Sequence, residues 1–227
     1  MGPLPGDLGS TSFGAFRPSI AYNSIDNRYL AVWYGDDNTG SLVNDEFEIY
    51  VQQMNASGSL LGSRIRISQM DVDGNANIDA LNPSVAYNSH DNEYLVIWYG
   101  DTPVATATDH EYEIFAQRLN ASTGILIGSP LRISHMGTDG DPTHDATNPS
   151  VAYDSTLNQY LVTWQGNDIG AEFEIYGQII SNSGTTVGSP IRLTPYGSGW
   201  EYSDPSPPSI RCLRPHQPPI PTCLARR

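Results

Sequence analysis

The chain has 227 residues, with 11 Lys+Arg against 25 Asp+Glu for a formal charge of -14, and every one of its basic residues is an arginine. That balance excludes a nucleic-acid binder, because phosphates need a basic footprint. No apolar run approaches the roughly 20 residues that cross a bilayer as a helix, while Gly 21, Pro 17, Tyr 13 and Trp 4 fit a turn-rich, aromatic-rich all-β chain.

In chain order, residues 1–12 read as a leader with neither the basic start nor the apolar stretch of a secretory signal. Pro18-Ser19-Ile20-Ala21-Tyr22-Asn23-Ser24 then opens a unit that recurs as Pro83-Ser84-Val85-Ala86-Tyr87-Asn88-Ser89 and Pro149-Ser150-Val151-Ala152-Tyr153-Asp154-Ser155. The offsets are 65 and 66 residues, a period that signals a stacked or radial repeat. The repeats with their connectors span 13–82, 83–148 and 149–196. A partial fourth opening and a Pro-rich tail occupy 197–227, where Cys212 and Cys223 lie.

Within the second repeat the expected strands run over Ser84–Tyr87, Glu93–Tyr99, Glu111–Leu119 and Pro130–Ser134. Ser89-His90-Asp91-Asn92 and Asn120-Ala121-Ser122-Thr123-Gly124 are the turns between them. The last of these, like Asn55-Ala56-Ser57, is a formal glycosylation acceptor that reads better as a hairpin loop. Tyr29 to Trp33 and Tyr160 to Trp164 repeat the second strand, and Glu48 to Gln52 and Glu174 to Gln178 repeat the third. No segment carries the apolar period of a helix. The fold class expected is all-β and β-propeller-like, with four-stranded antiparallel blades in three repeats.

The Pro-Ser-Val-Ala-Tyr-Asn-Ser opening, the Tyr-Leu-Val-x-Trp strand and the Glu-x-Glu-Ile-Tyr/Phe strand, over about residues 13–196, resemble the tandem blade-like repeats of large bacterial secreted and cell-surface proteins. The resemblance implies an extracellular or surface repeat domain used for binding or spacing, and it implies no enzyme family. Three blades are too few for an ordinary ring. A homodimer closing the ring, or other self-association, is therefore expected, the alternative being an open stack or a sandwich-like barrel of the same strands.

Oxygen-bearing side chains gather in the connectors. Asp71, Asp73, Asn75 and Asp79 precede the second repeat, and Asp139, Asp141 and Asp145 precede the third. Oxygen ligands alternating around a glycine suit calcium, in a structural role, and they equally suit capped turns. Glu48, Glu113 and Glu174 are candidates for glycoside hydrolysis, which uses paired carboxylates. Repetition in every unit points them instead toward the fold, since an asymmetric reaction needs one copy. Trp33, Trp98, Trp164, Tyr99, Asp36 and Asp101 are candidate binding residues, the tryptophans also being expected in the core between blades. The leading functional expectation is a binding or scaffold module with carbohydrate as ligand. A glycoside hydrolase is the alternative, and a structural fragment of a larger multidomain protein is a third reading.

Overall fold

Twelve strands follow one another in three antiparallel meanders. The first sheet holds β1 (Ala15–Asn23), β2 (Arg28–Gly35), β3 (Glu48–Asn55) and β4 (Leu60–Arg66). The second holds β5 (Ala80–Asn88), β6 (Glu93–Asp101), β7 (Tyr112–Asn120) and β8 (Leu126–Arg132). The third holds β9 (Ala146–Asp154), β10 (Gln159–Gly166), β11 (Glu174–Ser181) and β12 (Thr186–Arg192). The computed structural model divides the chain into one unit over 1–194 and another over 195–227. The residues it describes are 13–37, 41–101, 110–167 and 172–194, so the leader, the partial fourth repeat, Cys212, Cys223 and the tail lie outside the described residues.

The repeated four-stranded antiparallel sheet is as expected, and two boundaries move. The repeat limits at 82/83 and 148/149 fall inside β5 and β9, so each sheet opens before its Pro-Ser. The cause is a bulge. The β1–β2 register shifts between Phe16 and Ser19, and the β5–β6 register between Leu81 and Ser84. Arg17, Asn82 and Asn148 adopt φ of 50, 48 and 52°, each directly before a proline that has no N–H to offer the ladder. The fourth strand also begins earlier than its sequence suggests, at Leu126 in β8.

Burial explains why three such sheets hold together. Alternation gives Tyr94, Val96 and Trp98 one face of the middle sheet and Leu95 and Ile97 the other. The first face packs with Leu30, Val32, Ile49, Val51 and Ile67 of the first sheet. The second packs with Tyr160, Val162 and Trp164 of the third. Trp98 and Tyr94 are 0% exposed and Trp164 is 1% exposed. Each such side chain contributes about 1.5–3 kcal/mol by leaving water. The middle sheet is thus covered on both faces, whereas among the described residues its neighbours are covered on one.

Polar contacts register the same junctions. At one end Asn23 Nδ2 donates to Asp26 (3.1 Å) and across to Asn92 Oδ1 (3.0 Å), and Asn92 Nδ2 returns to Asp26 (3.2 Å). Asn88, Asp91 and Asn158 repeat this latch between the second and third sheets.

Gly100 lies near the end of β6, where the connector crosses the strand closely. A Cβ there would stand 2.8 Å from Asp79 O and 2.9 Å from Met70 Cε. The equivalent atom at Gly166 would stand 2.6 Å from Met136 Cε. Gly100→Ala is expected to cost about 1–3 kcal/mol, as overpacking does, read as a lowered urea midpoint with an unchanged m-value. An unshifted midpoint contradicts this account of the close approach.

Candidate functional site

The connector residues form a repeated clasp. Glu48 accepts from Ser68 Oγ and from Met70 N (3.3 Å), and Glu46 accepts from Gly74 N (2.9 Å). In the next repeat Glu113 accepts from Ser134 Oγ, Met136 N (2.5 Å) and Arg132 (2.8 Å), while Glu111 accepts from Gly140 N (2.5 Å). Gly74 and Gly140 sit at φ of 107 and 91°, open to glycine at little cost. Each glutamate pair therefore holds the backbone of the connector that leads to the next sheet. Glu174 keeps part of the pattern through Thr194 and Arg192 (2.5 Å). The partners just named for Glu48, Glu113 and Glu174 lie within their own repeats.

The connector aspartates are engaged one by one. Asp73 pairs with Arg66 at 2.9 Å, and Asp139 pairs with Arg132 at 2.9 Å. Asp71 accepts from Asn75 Nδ2 (2.8 Å), and Asp141 accepts from Thr143 Oγ1 (2.6 Å). Asp79 Oδ1 accepts from Phe47 N (2.9 Å), and Asp145 Oδ1 from Tyr112 N (3.1 Å), so each stitches one sheet to the next. Among the described residues no group of three or more His, Cys, Asp or Glu is arranged to hold a metal ion.

The candidate binding aromatics divide. Trp98 and Trp164 are buried between sheets, which corrects any role for them as solvent-facing platforms. Trp33 is half-buried, on the face of the first sheet that no other described sheet covers. Asp36 accepts from Gly14 N (2.6 Å), and Asp101, fully buried, accepts from Asp79 N (3.0 Å). Both cap strand ends within the sheets.

The sequence reading missed a third arrangement. Arg17, Pro18, Asn82, Pro83, Asn148 and Pro149 line an open depression of about 270 Å³ where β1, β5 and β9 lie side by side. The three bulges create it, turning the residue before each proline out of the ladder. Asn82 Nδ2 donates to Asn148 Oδ1 (3.0 Å), whose own Nδ2 donates to Gln165 Oε1 (2.7 Å). The signal was present as Arg-Pro, Asn-Pro and Asn-Pro at one repeat position, since a residue before proline is driven from the helical region. Arg17 breaks the symmetry and supplies the positive charge. Nearby, Tyr99 feels the charges of Arg17, Asp79 and Asp101. Tyr99 also meets Tyr112 edge-on at 5.2 Å, and His110 Nδ1 stands 3.9 Å from Asp101 Oδ1. Burial pushes the Asp79 carboxyl up to about 6, against the opposing pull of the Phe47 N–H and His110.

No protein-family model and no curated protein matches the chain. Solved structures do share its arrangement. A Hadza microbial sialidase is 11% identical with a TM-score of 0.55, over 78% of this chain and 37% of that one. An N-acetylgalactosamine deacetylase from F. plautii is 14% identical with a TM-score of 0.50, over 84% and 56%. An exo-β-1,3-galactanase from Clostridium thermocellum is 12% identical with a TM-score of 0.50, over 78% and 36%. The chain spans only 37%, 56% and 36% of these three structures, and at such identities the likeness is one of fold.

Burial also raises the Glu48 carboxyl to about 7 from 4.5, in spite of Ser68 and Met70. A raised carboxyl means that the folded protein holds this proton more tightly than the unfolded chain. Its stabilising contribution is complete below pH 4.5 and is lost as pH climbs to about 7. Between those limits wild type is expected to lose on the order of 3 kcal/mol more than Glu48→Gln, whose side chain keeps the shape without the charge. Urea melts of both proteins across this range measure the difference, and parallel pH slopes contradict it.

Proposed function

We propose that the chain is the blade-bearing part of a carbohydrate-acting protein and that sugar binds in the depression between Arg17, Asn82 and Asn148. The carrying observation is that depression itself. Planar amide and guanidinium groups suit the paired hydroxyls of a sugar ring, and three prolines give the cavity stiff, apolar walls. Bulges commonly re-aim side chains next to active sites. The fold likeness to the sialidase, the deacetylase and the galactanase supports the same substrate class. In this reading the three sheets are blades of a propeller-like ring, and the acidic, lysine-free composition suits an extracellular bacterial setting.

For hydrolysis, a group that is protonated near neutrality must donate to the leaving oxygen while water attacks the anomeric carbon and releases the proton that replaces it. We assign this role to Asp79, which stands in the connector beside the depression's Asn82 rather than in its lining. It is half-buried, it lies three residues before Asn82, and its carboxyl is raised to about 6. Glu48, Glu113 and Glu174 serve the same protein as framework. The expected activity falls as pH rises above about 6, because the acid form of Asp79 disappears. Asp79→Asn is expected to lower kcat by at least about 100-fold, in line with general acid catalysis, with little change in KM. Arg17→Ala, at an exposed position, is expected to weaken sugar binding about tenfold, the worth of one charged hydrogen bond. Release of reducing sugar from oligosaccharides, followed against pH in all three proteins, is the test. Undiminished release by Asp79→Asn removes that residue from the reaction.

Binding without turnover is a second reading, favoured because the lining of the depression holds no carboxylate. Glycan-array binding by wild type that Arg17→Ala loses, with no sugar release by either, selects it. Structural calcium at the connectors is a further part of the proposal and requires Arg66 to release Asp73. A Tm that rises with calcium and falls with chelator supports it, and an indifferent Tm removes it.

A further inference from the structure

We infer that the outer face of the third sheet and the outer face of the first are two halves of one junction, and that a second copy of this chain joins them head to tail. Both halves are already made inside the chain. At the two internal junctions the rear face of one sheet receives the tryptophan-bearing face of the next. The third sheet has the same rear face with nothing described against it. Leu30 and Leu95 are 0% and 1% exposed, whereas Leu161 at their position is 41% exposed. Ile67 and Ile133 are 4% and 2% exposed, whereas Leu193 is 52%.

The first sheet carries the complementary front. Trp33 lies on Tyr50 with ring centres 6.1 Å apart at 20°, matching Trp98 on Phe115 (6.3 Å, 19°) and Trp164 on Tyr176 (6.0 Å, 17°). The front is therefore already shaped like the two that are buried. Its Ile20 is 58% exposed, whereas the equivalent Val85 is 8%. A front half and a rear half on opposite faces of the described sheets join copies heterologously, as rings or as longer arrays.

The polar latch is complementary as well. Asn92 and Asn158 each donate Nδ2 across a junction, to Asp26 and Asp91. Asn27 is the equivalent donor on the first sheet, its Oδ1 taken by Tyr22 as those of Asn92 and Asn158 are by Tyr87 and Tyr153. Asp154 stands on the third sheet where Asn23 and Asn88 stand on the others, and it offers a carboxylate to that donor. Leu157 replaces Asp26 and Asp91, and Ile179 replaces Gln53 and Arg118, so the new junction leans further on apolar burial.

Light scattering across a concentration series tests this with two substitutions at exposed positions. Wild type is expected to show a mass of two or more chains. Ile20→Glu blocks the front and Leu161→Glu blocks the rear, so each alone is expected to run as a single chain. An equimolar mixture retains one intact front and one intact rear, and it is expected to recover a one-to-one dimer. A wild type that stays single at high micromolar concentration, because the chain's own residues 195–227 or nothing at all covers the rear, overturns the inference. So does association that survives either substitution, or a mixture that stays single. Far-UV circular dichroism confirms folding, and Tyr22→Glu and Leu193→Glu, also at exposed positions, replace any variant that fails it.

Discussion

Everything in this structure depends on a sheet that is apolar on both faces. A four-stranded meander with one wet face would need one covering layer and stop there. Here Tyr94, Val96 and Trp98 leave water on one side and Leu95 and Ile97 on the other, so the middle sheet has two neighbours. Repetition of the sequence is the chemical consequence. Any sheet built this way demands another of its kind, and the demand ends only where a face finds a different cover.

Polar side chains make that stacking specific. Hydrophobic contact alone would let the sheets slide, and the Asn-Asp-Asn latch at one end and the glutamate clasp at the other fix their register. The clasp resolves a conflict, because Glu48 and Glu113 are carboxylates with almost no exposure. Their burial is tolerated because serine hydroxyls and backbone amides satisfy them, and Arg132 joins Glu113. These are the most regular polar residues of the chain, and their regularity belongs to the architecture. The chemistry that distinguishes one repeat from another is left to the exceptions, Arg17 among asparagines and Asn167 among aspartates.

The strands and their order were legible because the period-2 pattern and the aromatic landmarks recur in each repeat. The buried tryptophans followed from the same pattern, since a large aromatic on a two-faced sheet has a neighbour to fill. The connector aspartates were legible as a cluster and illegible as a geometry. Their spacing fits both a cation and a set of turn caps, and it gives no sign that the fold sets Arg66 beside Asp73 and Arg132 beside Asp139. The depression at Arg17 is illegible in the sequence for a different reason. It is assembled from single residues some 65 positions apart, and Pro83 alone reads as a strand opening where the fold makes a bulge.

Native-state hydrogen exchange is the most direct test of the claim that two-sided stacking carries the fold. The amides of β6, at the centre of the doubly covered sheet, are predicted to exchange only by global unfolding. Those of β4 and β12, on sheet edges, are predicted to exchange by smaller openings. Equal protection of β6 and β12, or faster exchange in β6 than in β2 and β10, would contradict the account.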